Sequence, residues 1–200
     1  MLKLKTLAAT LLALSITGCT TPTAYINAES KTENIVAGLS YADFKGAADS
    51  MADEIIANKM LDHPDERGRY IMFVSDITND TMQRIDTDQL AKTIRVKLTN
   101  SGKFLITNAF TGGDKAVAEM RQLKDSEMVK QSSVKGAGQV YAPDFSLSGK
   151  IMQRNNTMDN NDTRIEYYFQ LSLTNLENGL SYWEGERVVG KVADGDTVSW

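Results

Sequence analysis

The sequence predicts an α/β protein of the α+β kind: a single mixed β-sheet packed against helices, with antiparallel strands at the C-terminal end. Three observations predict it. Two stretches in the first half place apolar residues at helical spacing, and each is followed by a short apolar run of strand length. The last third changes to alternation of apolar and polar residues, the period of a strand with one buried face. Asn178-Gly179 sits between two of the late strands, where a hairpin turn needs residues that tolerate positive φ.

The elements follow in chain order. Asp43 precedes an amphipathic helix in which Phe44, Ala48, Met51, Ile55 and Ile56 share one broad face, with Lys45, Asp49, Asp53, Glu54 and Lys59 mainly elsewhere. Leu61-Asp-His-Pro64 stops it, since proline removes a donor and clashes with the preceding turn. Tyr70 to Ser75 is a buried strand, and Asp76 to Asp80 reads as the loop after it. A second helix starts near Asp86, whose side chain caps it, with Gln89 placed to complete a capping box. Leu90, Ala91, Ile94 and Leu98 form its apolar stripe, and Gly102 suits a left-handed stop.

Lys103 to Thr107 is the next strand. Gly112-Gly113 opens a weaker helix around 114–124, and Met128 to about Val140 reads as a further one. Three strands close the chain. Phe145, Leu147, Gly149 and Ile151 mark the first, and Ile165, Tyr167, Phe169, Leu171 and Leu173 the second. The third covers 180–190, and Arg154 to Arg164 reads as a polar loop rich in Asn and Asp.

The N-terminus carries an export signal. Lys3 and Lys5 precede the apolar run Leu7 to Leu14, which is too short to span a bilayer. It ends at Thr17-Gly18-Cys19, where a small residue admits a peptidase and the thiol offers a nucleophile for diacylglyceryl transfer. The expected organisation is a signal peptide over 1–18, lipidated Cys19 and a flexible tether over 19–42, and a periplasmic α/β binding domain over 43–200. Acyl chains contribute about 0.8 kcal/mol per buried methylene, so several on Cys19 anchor the chain stably. Thr20, where aspartate would favour inner-membrane retention, leans the sorting towards the outer membrane. The tether is rich in Thr, Ala, Asn, Glu and Ser and reaches roughly 70 Å when fully extended.

Composition excludes several function classes. The net charge of −4 deepens to −6 once Lys3 and Lys5 leave with the signal, which argues against nucleic acid as a partner. Cys19 is the only cysteine, so its acylation leaves no thiol for a disulfide, catalysis or zinc. His63, the only histidine, lies beside Pro64 in a turn and reads as a solvent-facing loop residue. Asp76, Asp80, Asp86 and Asp88 lack the spacing and central glycine of a calcium loop, and capping and solvation explain them, as they do Asp159 and Asp162. Gly112-Gly113 belongs to no phosphate-binding motif and reads as a turn. No catalytic residue, metal or cofactor is expected. Tyr167, Tyr168, Phe169, Tyr182, Trp183 and Trp200 concentrate rings late in the chain. Neighbouring Tyr167 and Tyr168 place rings on opposite faces of one strand, one of them available to a partner.

Three stretches resemble a known family: the lipobox Thr17-Gly18-Cys19, the unit from Ile71 through Asp80 and Ile85 to Leu98-Thr-Asn-Ser-Gly-Lys-Phe104, and the hairpin Leu171 to Gly179 running into Tyr182-Trp-Glu-Gly-Glu186. Together they are similar to the outer-membrane lipoprotein activators of penicillin-binding proteins, the LpoB family, over roughly residues 43–190. The resemblance implies a non-catalytic, outer-membrane-anchored protein, and the expected state is a monomer. It also implies docking on a bifunctional penicillin-binding protein, a peptidoglycan synthase, and stimulation of its polymerising and crosslinking activities by allostery. The best-known members carry a long proline-rich tether, whereas this chain has about twenty residues there, with Pro22 the only proline. The alternative expectation is an envelope lipoprotein with a structural or secretion and assembly role. A carboxylate-based hydrolase is a third.

Overall fold

Ser40 starts the first helix. Its hydroxyl accepts from the Asp43 N–H, and the Asp43 carboxylate accepts from the Ser40 N–H at 2.9 Å, so Ser40 is the cap and Asp43 lies inside the first turn. The computed structural model describes residues 23–32, 35–110, 114–123, 126–134 and 138–195, and all that follows concerns those. Helix α1 (Tyr41–Ala57) buries Ala47, Ala48, Met51, Ala52 and Ile55 on one face. A single turn over Lys59–Leu61 follows and buries Leu61.

Strand β1 (Tyr70–Asp80) leads to helix α2 (Thr87–Asn100), which buries Leu90, Ala91, Ile94 and Leu98. Gly102 ends α2 at φ +70°, a conformation that L side chains adopt only under strain. Strand β2 (Phe104–Ile106) pairs in parallel with β1. A long connection holding helix α3 (Lys115–Gln122) then leads to β3 (Phe145–Thr157), β4 (Thr163–Asn175) and β5 (Ser181–Ala193). The sheet order is β2-β1-β3-β4-β5: β1 is parallel to both its neighbours, and β3, β4 and β5 form an antiparallel meander.

The core lies between α1 and α2 and one face of this mixed sheet. Met72, Val74 and Ile77 of β1, Phe145, Leu147 and Ile151 of β3, and five alternate residues of β4 from Ile165 to Leu173 meet the helix stripes there. Fully burying one such side chain contributes about 1.5–3 kcal/mol. Gly149 is required at the β1–β3–β4 contact. A Cβ there would sit 2.4 Å from Leu171 Cδ2 and 2.8 Å from the Gln170 carbonyl oxygen.

Four local expectations are corrected. Residues 76–80 are not a loop: after an irregularity between Val74 and Ile77, β1 resumes pairing with β3, because Ile77 still finds a buried place opposite Gly149. The 154–164 segment is mostly ladder, with Arg154 opposite Glu166 and Asn156 opposite Arg164, and Asn161 at φ +69° in the turn. Polar residues pair there because the ladder runs past the end of the core. Within Met128 to Val140 the described residues hold only a turn and a short 3-10 segment over Gln131–Ser133, with nothing buried to support a longer helix. At the start of α2, Asp86 accepts from Asp88 N at 3.0 Å as expected, but the reciprocal Gln89 contact is absent.

Candidate functional site

Period two along β3, β4 and β5 gives the sheet a second face, and among the described residues no helix covers it over these three strands. Its β1–β2 half is partly screened by described residues of the long connection, with Leu105 still exposed. There Phe110 stacks edge-on against Phe73 at 5.6 Å, and Val117, Val140 and Tyr141 border a shallow groove of about 310 Å³ with Ile71 and Leu105. The half formed by β3, β4 and β5 is open among the described residues, with Val188 and Val192 both exposed.

Tyr168 sits in the middle of that open half, opposite Met152 on β3 and Val188 on β5. Its hydroxyl donates to Glu166 Oε2 at 2.9 Å, and Arg154 lies over its ring at 5.3 Å. Arg164 pairs with the other Glu166 oxygen at 2.6 Å. The hydrogen bond from Tyr168, joined by the arginine charges, outweighs desolvation and holds Glu166 below the ordinary carboxylate range. The same hydrogen bond, together with burial, raises Tyr168. Around this cluster Gln170 donates to Glu186 at 2.7 Å, Lys150 pairs with Asp80 at 2.8 Å, and Val188 is 51% exposed. The result is a tyrosine braced by two arginines and a carboxylate, with small polar and aliphatic side chains around it. Tyrosine and arginine dominate protein interfaces because they combine apolar area with fixed hydrogen-bonding groups.

On the helix side, the segment before α1 is strapped to the sheet. Lys191 of β5 donates to the carbonyls of Val36 and Gly38 and pairs with Asp43 at 2.7 Å. Tyr167, 0% exposed, donates to Ala37 O at 3.4 Å and accepts from Gln83 Nε2 at 3.0 Å. Gln83 Oε1 in turn accepts from Leu39 N at 3.2 Å. Burial, then the neighbouring Asp43 charge, raises the Tyr167 phenol, which keeps it a neutral donor.

The residues singled out from the sequence are scattered. Tyr167 and Tyr168 do face opposite ways, inward and outward, while Trp183 packs on the core edge over Gly185. His63 is half-buried against Tyr70, with ring centroids 4.8 Å apart, and accepts from Asp65 N. Asp80 pairs with Lys150, Asp86 caps α2, Asp88 sits in its first turn, and Asp162 accepts from Asn160. No three His, Cys, Asp or Glu side chains converge on a metal-sized site among the described residues. Cys19, Gly112-Gly113 and Trp200 lie outside those residues. Gln83, Arg154 and Lys191 were not anticipated. Arg154 was findable by carrying the β3 alternation three residues further, but Gln83 and Lys191 carry no local signal, because their partners are 44 and more residues away. No helix among the described residues is long and apolar enough to cross a membrane.

A family model described as peptidoglycan-synthase activator LpoB matches residues 43–189. Among solved structures, the C-terminal domain of LpoB from Escherichia coli is 16% identical, with 74% of this chain and 99% of that one covered and a TM-score of 0.46. The corresponding domain from Salmonella enterica is 16% identical, with 74% and 98% covered and a TM-score of 0.45. Lipoprotein GNA1162 from Neisseria meningitidis is 12% identical, with 62% and 83% covered and a TM-score of 0.38. Comparison with curated proteins gives no match.

Proposed function

The chain belongs to the LpoB family of peptidoglycan-synthase activators, and from that premise we propose that it is a lipid-anchored, non-catalytic activator that docks on a bifunctional penicillin-binding protein. Cys19 carries the lipid, the outer membrane holds it, and the domain faces the periplasm as a monomer. The observation that carries the docking surface is the open face of β3, β4 and β5 with Tyr168 at its centre. Its ring, braced by Arg154 and Glu166, buries apolar area at little entropic cost. Activation follows if this face binds the more active synthase conformation more tightly than the less active one.

The strap bears on reach. Residues 36–40 are held on the domain and Lys31 Nζ reaches Gly46 of α1, so the stretch left to span from Cys19 to Lys31 covers at most roughly 40 Å. The strap lies at the end of the sheet where β5 finishes, and the long strands carry the opposite end about 40 Å further. The length of the domain therefore adds about as much reach as the tether.

The test is affinity capture from detergent-solubilised envelopes with the tagged full-length chain as bait, followed by a glycan-polymerisation assay on the captured pair. Retention of a bifunctional synthase and a faster polymerisation rate are expected. Capture of secretion or outer-membrane assembly components with no synthase sinks this reading in favour of an assembly role.

A further inference from the structure

The end of the sheet furthest from the strapped tether holds a groove of about 750 Å³, within the size range of small-ligand sites. It opens where β1, β3 and β5 begin and β4 ends. Four rings line it: Tyr70, Phe73, Phe110 and Tyr182. Tyr70 and Tyr182 both stand edge-on to buried Phe145, at 5.1 and 5.3 Å, which fixes their orientation. Phe110 is 43% exposed.

The polar lining has a recurring arrangement. Asn175 Oδ1 accepts from the N–H groups of Glu177 and Asn178, Asn178 Oδ1 accepts from Leu180 N, and Asp144 Oδ2 accepts from Ile71 N. Each side chain spends one polar atom on the backbone, and these donors settle which end of each amide is oxygen. The two amide NH2 groups, the second Asp144 oxygen, the Glu177 carboxylate and the hydroxyls of Tyr70 and Tyr182 make no hydrogen bond with the described residues.

We infer that this groove binds a neutral N-acetylated amino-sugar glycan. Sugar rings present C–H faces that pack on aromatic side chains, hydroxyls that donate to carboxylates, and acetamido carbonyls that need N–H donors. The groove supplies all three. Asp144 and Glu177 disfavour a phosphate or other anion. An extended peptide would need free main chain to pair with, but that of the rim is already engaged: Asn175 N with Leu180 O, Leu176 N with Asp144 O, and Asp144 N with Ile71 O. That the natural source is the N-acetylglucosamine units of a peptidoglycan backbone, with the carboxylate-bearing units kept outside the groove, rests on the activator reading; the sugar chemistry does not.

The experiment titrates the detergent-purified full-length chain with the N-acetylglucosamine tetramer by calorimetry, alongside synthase capture. Asn175→Asp and Asn178→Asp keep the turn acceptors and remove the NH2 donors, and Phe110→Ala removes the exposed ring. Saturable binding is expected, at least tenfold weaker in the double asparagine variant and in Phe110→Ala, with thermal melting confirming that each folds. No saturable binding by the wild-type chain overturns the inference, as does undiminished binding by both variants. If the variants lose synthase capture and the wild type ignores the tetramer, the groove is a protein-docking site and only the glycan inference fails. If the tetramer binds but no synthase is captured, the glycan site stands and the activator reading fails.

Discussion

Lys191 on the last strand reaches Asp43 in the first turn of the first helix at 2.7 Å, with their side chains 13% and 8% exposed. Burial alone would raise the Asp43 carboxyl, but hydrogen bonds from Lys191 and Ser40 outweigh it and hold the group below its ordinary value of 3.8. The unfolded chain therefore binds the proton more tightly. The contribution is complete above the unfolded value and is lost as pH falls below 3.8 through the lower folded value. In a series of urea midpoints from about pH 6 down to about pH 2.5, the wild type should lose more stability than Asp43→Asn across this window.

Removing Lys191 should cost more than removing the pair. Lys191→Met leaves a buried carboxylate without its cation and is expected to destabilise by about 3 kcal/mol, since Ser40 still donates to it. In the Asp43→Asn/Lys191→Met double variant the loss should fall well short of the sum of the singles. The same substitution unstraps Val36 and Gly38, so amide exchange at Ala37 to Leu39 should accelerate more than in the core strands.

The glycines of the sheet separate tolerated from forbidden sites. Gly149→Ala forces a methyl against the Gln170 carbonyl and Leu171, and a backbone oxygen inside a ladder has nowhere to go. A loss of about 1–3 kcal/mol, read from thermal melting, is expected. Gly190→Ala meets nothing within 4 Å and should be neutral or gain a few tenths of a kcal/mol.

Where a residue's fate depended on its own periodicity, the sequence was legible. Ile165, Tyr167, Phe169, Leu171 and Leu173 are buried in alternation, and Leu90, Ala91, Ile94 and Leu98 form one helix stripe. The same alternation turned Tyr168 outward. What failed were positions decided by a partner. Asp76 to Asp80 looked like a loop because polar residues dominate it, yet Gly149 leaves room for Ile77 and pairing resumes. Asn155 and Asn156 are poor strand formers that follow β4 because their neighbours already do. The strap and the groove join residues that no local pattern links: Gln83 with Leu39 and Tyr167, and Phe110 with Tyr182.

Tyr168 should be the centre of binding to the synthase and not of folding. Tyr168→Ala and Arg154→Ala dismantle the stacked pair on an open face while leaving the buried side of β4 intact. Synthase affinity is expected to fall by about thirtyfold for Tyr168→Ala, the scale of an interface hot spot, with only a small shift in melting temperature. Unchanged capture by both variants would falsify the choice of this face.

Tether length should govern activation in cells and not in solution. The stretch from Cys19 to the strap is little more than fifteen residues long, so every residue is a measurable share of the reach. Deleting residues 23–32 shortens the fully extended chain by roughly 33 Å; it takes Lys31 from beside Gly46 of α1 but leaves the strap and the sheet in place. In a purified assay, where both proteins diffuse freely, polymerisation should be stimulated as by the wild type. In cells the deletion should abolish function, and a ten-residue Gly/Ser replacement should restore it, because a spacer acts through its length and not its side chains. Loss of stimulation in both settings would instead place residues 23–32 in the contact with the synthase.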